Sequence, residues 1–263
     1  MEKVFNCSTC MDMQYELLNG MFFDTKEETN DYILCTSKVM DDYFWNMAYL
    51  KTKADEKVIS EIENKLKIMD RTPAIYIGRD DKYFLDNKTF ILHNGYKLND
   101  TDVFMILDSY KETDININIK VVETESEYND FMKVLVSAYD DNIENSSENV
   151  YADAVTKCYY DAVKNSMNSS KTYHIIGYNE DHIPVSVATL NIVDGVGEIN
   201  NVGTAQGFWN RGYSKQVLTY LIKIFKENNG KHLLLCTEYH TKNQIYYEKL
   251  GFKEIYVMEQ YVS

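Results

Sequence analysis

Val202-Gly203-Thr204-Ala205-Gln206-Gly207-Phe208-Trp209-Asn210-Arg211-Gly212-Tyr213-Ser214-Lys215-Gln216-Val217-Leu218 passes from a strand pattern through a loop into a helix pattern. A glycine just ahead of a helix N-terminus lets backbone N–H groups turn toward an anion. The helix dipole adds an attraction of up to ~2 kcal/mol in sheltered geometry. Arg211 is the only arginine beyond residue 114, and Lys215 follows four residues later. An acidic chain has thus placed two cations where a phosphate-bearing ligand needs them. The same residues also fit an ordinary strand-to-helix turn with a surface arginine, because short glycine motifs are common.

The flanking sequence places this loop inside a regular α/β pattern. Downstream, Ser214 to Lys226 reads as an amphipathic helix stopped by Asn228-Asn229-Gly230. His232 to Cys236 reads as a buried strand, residues 241–250 as a helix, and Ile255 to Val262 as a closing strand after Gly251. Upstream, Tyr173 to Tyr178, Val185 to Val193 and Gly197 to Thr204 read as three consecutive strands. Asn179-Glu180-Asp181-His182 and Asp194-Gly195 supply the hairpin turns between them. Residues 127–139 and about 148–166 read as helices, and Ile115-Asn116-Ile117-Asn118-Ile119 alternates with the period of a strand. The resulting order is β-α-α-β-β-β-α-β-α-β, a mixed α/β (α+β) arrangement. The polar stretch Asp108 to Asp114 divides it from what precedes, predicting two domains, 1–112 and 113–263.

A second motif follows the first by 35–40 residues, with one helix and one strand between. It is Gln244-Ile245-Tyr246-Tyr247-Glu248-Lys249-Leu250-Gly251-Phe252-Lys253-Glu254, which closely resembles the "LYEKLGFKE" signature of GNAT N-acetyltransferases. Trp209 to Ser214 resembles that superfamily's pyrophosphate loop, R/Q-x-x-G-x-G/A. The resemblance covers roughly residues 115–263 and implies a GNAT-like acyl-CoA N-acyltransferase fold that moves an acetyl group from acetyl-CoA to a primary amine. It implies cofactor contacts from Val202, Gly203, Thr204, Trp209, Asn210, Arg211, Gly212, Tyr213, Ser214, Lys215 and Asn243. Tyr247, four residues before Gly251, is the implied general acid for the departing thiolate, and Glu198, on the strand before the loop, the candidate base. Tyr247 also fits a packed helix tyrosine in a chain with 22 tyrosines, and Glu198 an exposed strand carboxylate. The sequence departs from the family at Trp209, where Arg or Gln is usual. It also departs at Ser214, where Gly or Ala is usual, and at His240, where Asn is frequent.

The first half repeats the end of this pattern. Asp55 to Met69 reads as a helix, Ala74 to Ile77 as a strand, and Phe90 to Asn94 lead into Gly95-Tyr96 before a strand at Val103 to Leu107. Two readings stand: a degenerate GNAT-like copy, making the fold tandem, or an unrelated α/β cap. A copy would be inactive, because no loop glycine occurs near Lys53 to Asp55 and Ile91 stands at the tyrosine position. Tyr43, Phe44 and Trp45 are expected to pack in the core or line an interface or pocket.

Composition narrows the class further. The 263 residues are 44% hydrophobic and 26% charged, with net charge −14, which suits a globular protein and disfavours a nucleic-acid partner. No apolar run approaches the ~18 residues of a membrane span. Met1-Glu2-Lys3-Val4-Phe5 lacks the basic and apolar regions of a secretory leader, so no membrane partner and a cytoplasmic setting are expected. Cys7 and Cys10 form a lone C-x-x-C without the second pair that a zinc site needs, so no metal is expected and the five cysteines read as reduced thiols. His93, His174, His182 and His232 lack metal-ligand spacing and read as structural or surface residues. Segment 139–170, with Asp140, Asp141 and Glu144, is the expected wall of the acceptor site, its acidity suiting a cationic amine. The rival functions are a non-catalytic CoA-binding sensor and a structural protein of the same fold.

Overall fold

The computed structural model describes residues 7–139 and 150–263, with seven helices and eleven strands among them. Asp140, Asp141 and Glu144 lie outside the described residues. The chain divides into two compact units. One comprises residues up to Ser109 together with Cys236–Ser263, the other Tyr110–Leu235. The last 28 residues therefore cluster with the first unit, whereas the polar stretch at 108–114 coincides with the other junction.

In the first unit, α1 (Cys7–Leu18), β1 (Thr25–Glu28), β2 (Tyr32–Thr36), β3 (Met47–Leu50), α2 (Glu56–Ile68), β4 (Ala74–Gly78), α3 (Phe84–His93) and β5 (Lys97–Leu107) are joined by α7 (Lys242–Leu250) and β11 (Phe252–Val262). Its strands run β1-β2-β3-β4-β11-β5, so β11 lies between β4 and β5, antiparallel to both. That pairing gathers the closing segment into this unit. Val58, Ile59, Ile62 and Leu66 form the buried stripe of α2, packed with Ile75, Ile77, Tyr96 and Tyr261. Asp55 caps α2 by accepting from Val58 N–H at 2.9 Å. Half-buried Trp45 stacks on the buried Phe22 with ring centroids 4.2 Å apart, while Tyr43 is half-buried and Phe44 exposed, so of this aromatic run Trp45 alone is seen packing on a core ring. Ile91 is fully buried.

In the second unit, β6 (Asn118–Val121), α4 (Glu125–Tyr139), α5 (Val150–Ser166), β7 (Thr172–Tyr178), β8 (Pro184–Val193), β9 (Val196–Thr204) and α6 (Tyr213–Glu227) precede the first four residues of β10 (His232–Glu238). The element order matches the sequence reading. The strands run β10-β9-β8-β7-β6, antiparallel except for β9 with β10. The β8–β9 turn has Asp194 at φ 50° and Gly195 at φ 78°, the two positive values a tight two-residue hairpin demands. Beneath the sheet, His174 is held by Ser166 Oγ at 2.8 Å and Thr189 Oγ1 at 2.9 Å. Burial pushes its pKa down to about 4, which keeps the ring neutral and confirms a structural histidine.

Candidate active site

β9, which bears the candidate residues Glu198 and Val202 to Thr204, is irregular at its far end. Thr189 pairs with Asn200 and Val187 with Gly203, so Asn201 and Val202 together oppose Ala188. Asn201 has φ 52°. This is a β-bulge, which bends the strand and re-aims its backbone. The parallel register with β10 runs from Val196/His232 to Ile199/Leu235, and β9 continues five residues beyond it to Thr204.

Three bonds hold that extension. Ser186 Oγ donates to the Gly203 carbonyl at 2.7 Å, Tyr139 hydroxyl donates to the Val202 carbonyl at 3.2 Å, and Gln206 N–H donates to Ser137 Oγ at 3.1 Å. A Cβ on Gly203 would stand 2.8 Å from Ala138 Cβ, so α4 reaches this backbone only because residue 203 has no side chain. Ser137, Tyr139 and Ser186 were not legible as supports of this backbone, since each reaches it through a contact distant in sequence.

The loop then turns into α6. Asn210 has φ 61°, and Gly212, at φ 78°, occupies the N-cap with no side-chain capping bond. A Cβ at Gly212 would meet nothing within 4 Å, so the cap faces open space. The first turn of α6 contains no acidic residue. By contrast α2 and α7 are capped by Asp55 and Thr241. An uncapped helix start with a left-handed glycine has the backbone and dipole geometry that favours an anion. Tyr213, Ser214 and Lys215 are half-buried, whereas Arg211 is exposed and lies over the Phe208 ring at 5.5 Å. Trp209 does not project freely, because its indole Nε1 donates to the Thr204 carbonyl at 2.7 Å.

Glu198 lies within the paired part of β9, opposite Asn191 and Leu234, and is only 3% exposed. It is thus a buried carboxylate rather than an exposed strand residue. Asn200, two residues on, gives Nδ2 to Asn191 Oδ1 at 2.9 Å, and its own Oδ1 is buried with no partner among the described residues.

Tyr247 and Asn243 lie on α7, in the other unit. Thr241 accepts from Gln244 N–H, and the buried Gln244 side chain accepts from His240 N–H at 2.6 Å, a variant of the capping box. Gly251 ends the helix at φ 101°. A Cβ there would fall 1.5 Å from the Ser109 carbonyl oxygen, so no other residue fits. Tyr247 is half-buried, its ring edge-on to Tyr246 at 5.3 Å and to Phe252 at 6.0 Å. Asn243 is exposed in the first turn. No group of three or more His, Cys, Asp or Glu residues able to hold a metal occurs among the described residues.

A bulged strand, an uncapped glycine turn and a Gly251-terminated helix agree with one family model, acetyltransferase (GNAT), which matches residues 136–252. Over this segment the chain is similar to the acetyltransferase (GNAT) family. Solved structures extend the GNAT likeness to the fold of both halves. A GCN5-related N-acetyltransferase from Kribbella flavida superposes with TM-score 0.65 at 12% identity, covering 91% of this chain and 89% of that one. A functionally unknown conserved protein from Staphylococcus epidermidis gives 0.67 at 15%, covering 94% of each chain. A tandem GNAT protein from the clavulanic acid biosynthesis pathway gives 0.57 at 8%, covering 88% and 78%. No curated protein matches the chain by sequence. The fold is therefore that of a tandem GNAT protein, and the GNAT family is one of acyltransferases.

Proposed function

We propose that the protein transfers an acetyl group from acetyl-CoA to a primary amine, using the GNAT domain of its second half. The observation that carries this reading is the Gly212 turn. A left-handed glycine opens an uncapped helix of fifteen residues, with Lys215 in its first turn. The pyrophosphate of CoA fits that end, received mainly by backbone N–H groups from Tyr213 to Lys215. The bulged extension Asn200–Thr204 presents strand backbone to the amides of pantetheine. The Val202, Gly203 and Thr204 carbonyls already accept from Tyr139, Ser186 and Trp209, so a pantetheine N–H meets them as a second donor. Asn210, Arg211 and Asn243 complete the cofactor contacts.

The amine attacks the thioester carbonyl, and the resulting C–N bond replaces the C–S bond. Tyr247 gives its phenolic proton to the departing thiolate. A phenol near pKa ~10 protonates a thiolate of free pKa ~8.5 only when geometry couples the transfer to bond cleavage. Glu198 takes the proton of the attacking ammonium. Its burial calls for an intervening water, and the unpartnered Asn200 Oδ1 along the same strand suits that path. The first repeat, with Ile91 in its core, serves as a packing partner without a cofactor.

Incubation with acetyl-CoA and a panel of polyamines, aminoglycosides, amino acids and peptide N-termini, followed by mass spectrometry, tests the activity. A 42 Da gain on an amine is expected for acetylation. Saturating acetyl-CoA binding without product from any amine class would favour a sensor, and no binding at all would favour a structural role.

A further inference from the structure

We propose that Trp209 is a positioning residue of the CoA loop. Its indole N–H pins the loop to the end of β9, and its ring is the surface that the bound cofactor covers. The inference rests on the reading of the Gly212 turn as a CoA site.

Two observations meet at this side chain. Nε1 donates to the carbonyl of Thr204, the last residue of β9, at 2.7 Å. The residue nevertheless remains 55% exposed. A tryptophan held for packing alone would bury its ring; here the polar edge is satisfied and the apolar face is left in water. The bond closes a short ring from Thr204 to Trp209, inside which Phe208 N–H donates to the Ala205 carbonyl at 3.1 Å and Gly207 has φ 80°. The next left-handed turns, at Asn210 and Gly212, follow directly and deliver the chain to α6. A loop with three left-handed residues between strand and helix has considerable freedom unless something ties it down, and the indole bond supplies the tie. Ordering the loop before the ligand arrives lowers the entropy lost on binding.

The departure from Arg or Gln at this position is thereby explained. All three side chains carry N–H donors, so tryptophan keeps a donor and adds a flat apolar face three residues before the glycine turn. CoA presents two groups suited to that face, the adenine ring and the methylene-rich pantetheine arm.

The chain has two tryptophans, so Trp45→Phe, which keeps an aromatic ring against Phe22, makes Trp209 the sole indole reporter. CoA should quench or blue-shift its emission, saturating at the dissociation constant measured by calorimetry. The same titration with adenosine bisphosphate and with pantetheine shows which part of CoA covers the ring. If Trp45→Phe fails to fold, the difference in emission between wild type and Trp209→Phe gives the same signal. Trp209→Phe, which retains a ring and deletes the donor, should weaken CoA binding roughly tenfold, the worth of one hydrogen bond, and raise the KM for acetyl-CoA by more than it lowers kcat. Trp209→Gln, which returns a donor without the ring, should recover only part of that loss. If the wild type binds CoA and Trp209 emission does not move, or Trp209→Phe binds equally well, the inference fails and the CoA site stands. If the wild type binds no CoA by calorimetry, both fall.

Discussion

Tyr247 concentrates the chemistry of the proposed reaction in a single hydroxyl. Its ring packs edge-on against Phe252 and Tyr246, so Tyr247→Phe keeps those ring contacts and removes the hydroxyl. General acid catalysis contributes ~10²–10⁴-fold, so steady-state turnover should drop at least tenfold even where water partly substitutes. Acetyl-CoA affinity should stay the same, because the proton matters in the transition state and not in the ground state. Turnover undiminished in this variant would reduce Tyr247 to packing. Gly212 makes the complementary case. It faces open space at φ 78°, and Gly212→Glu places both a strained backbone and a negative charge against the pyrophosphate. The variant should lose any CoA-induced rise in melting temperature, and a rise equal to that of the wild type would remove the pyrophosphate from this turn.

At the scale of elements, two buried groups set opposing pH dependences. His174 joins α5, β7 and β8 through Ser166 and Thr189, and burial holds its pKa near 4 against ~6.5 for a free histidine. A depressed histidine pKa means that the unfolded chain binds the proton first. Stability is complete above pH ~6.5 and falls as pH drops toward 4, by roughly 3 kcal/mol from this group. Asp102 on β5 behaves in the opposite sense. Burial, then the nearby Asp100 charge, push its pKa up to about 7, against the lowering effect of a bond donated by Tyr76 hydroxyl at 3.0 Å; Glu238 adds a smaller upward push. Its unfolded form ionises first, so its contribution is present below pH ~4 and is lost as pH rises through 7. Asp102→Asn should therefore raise the melting temperature at pH 8 relative to wild type and leave it little changed at pH 4. An equal shift at both values would show that Asp102 is ionised throughout.

For the whole molecule, the tandem fold raises the question of how many cofactors one chain holds. The first repeat lacks a glycine before α2, whose N-terminus is closed by Asp55. An anionic cap repels a pyrophosphate where an open glycine turn admits one. Calorimetry on the intact chain should give one CoA per chain, and a stoichiometry of two would make the first repeat a second binding domain. At 100 times the dissociation constant, one site stabilises the native state by ~2.7 kcal/mol, which melting curves detect easily.

Local chemistry made much of the second half legible. The hairpin at Asp194-Gly195, the amphipathic α6, the glycine before it and Gly251 after α7 all act over a few residues, so their patterns survive in one dimension. The same holds for α2 and β4, whereas α3 was not read as a helix and β5 was read only from Val103. Its first six residues, Lys97 to Asp102, lack apolar alternation and become a strand by pairing with β11, more than 150 residues away. β1 to β3 went unread because β2 and β3 are buried on both faces and so show no period of two, while β1 is short and largely exposed. Only the tertiary structure could show that β11 lies between β4 and β5, that α4 and β8 clamp the end of β9, and that Trp209 binds the Thr204 carbonyl. Residue type supplies the hydrogen-bonding and apolar groups, but the partner each one meets is set by how distant segments pack.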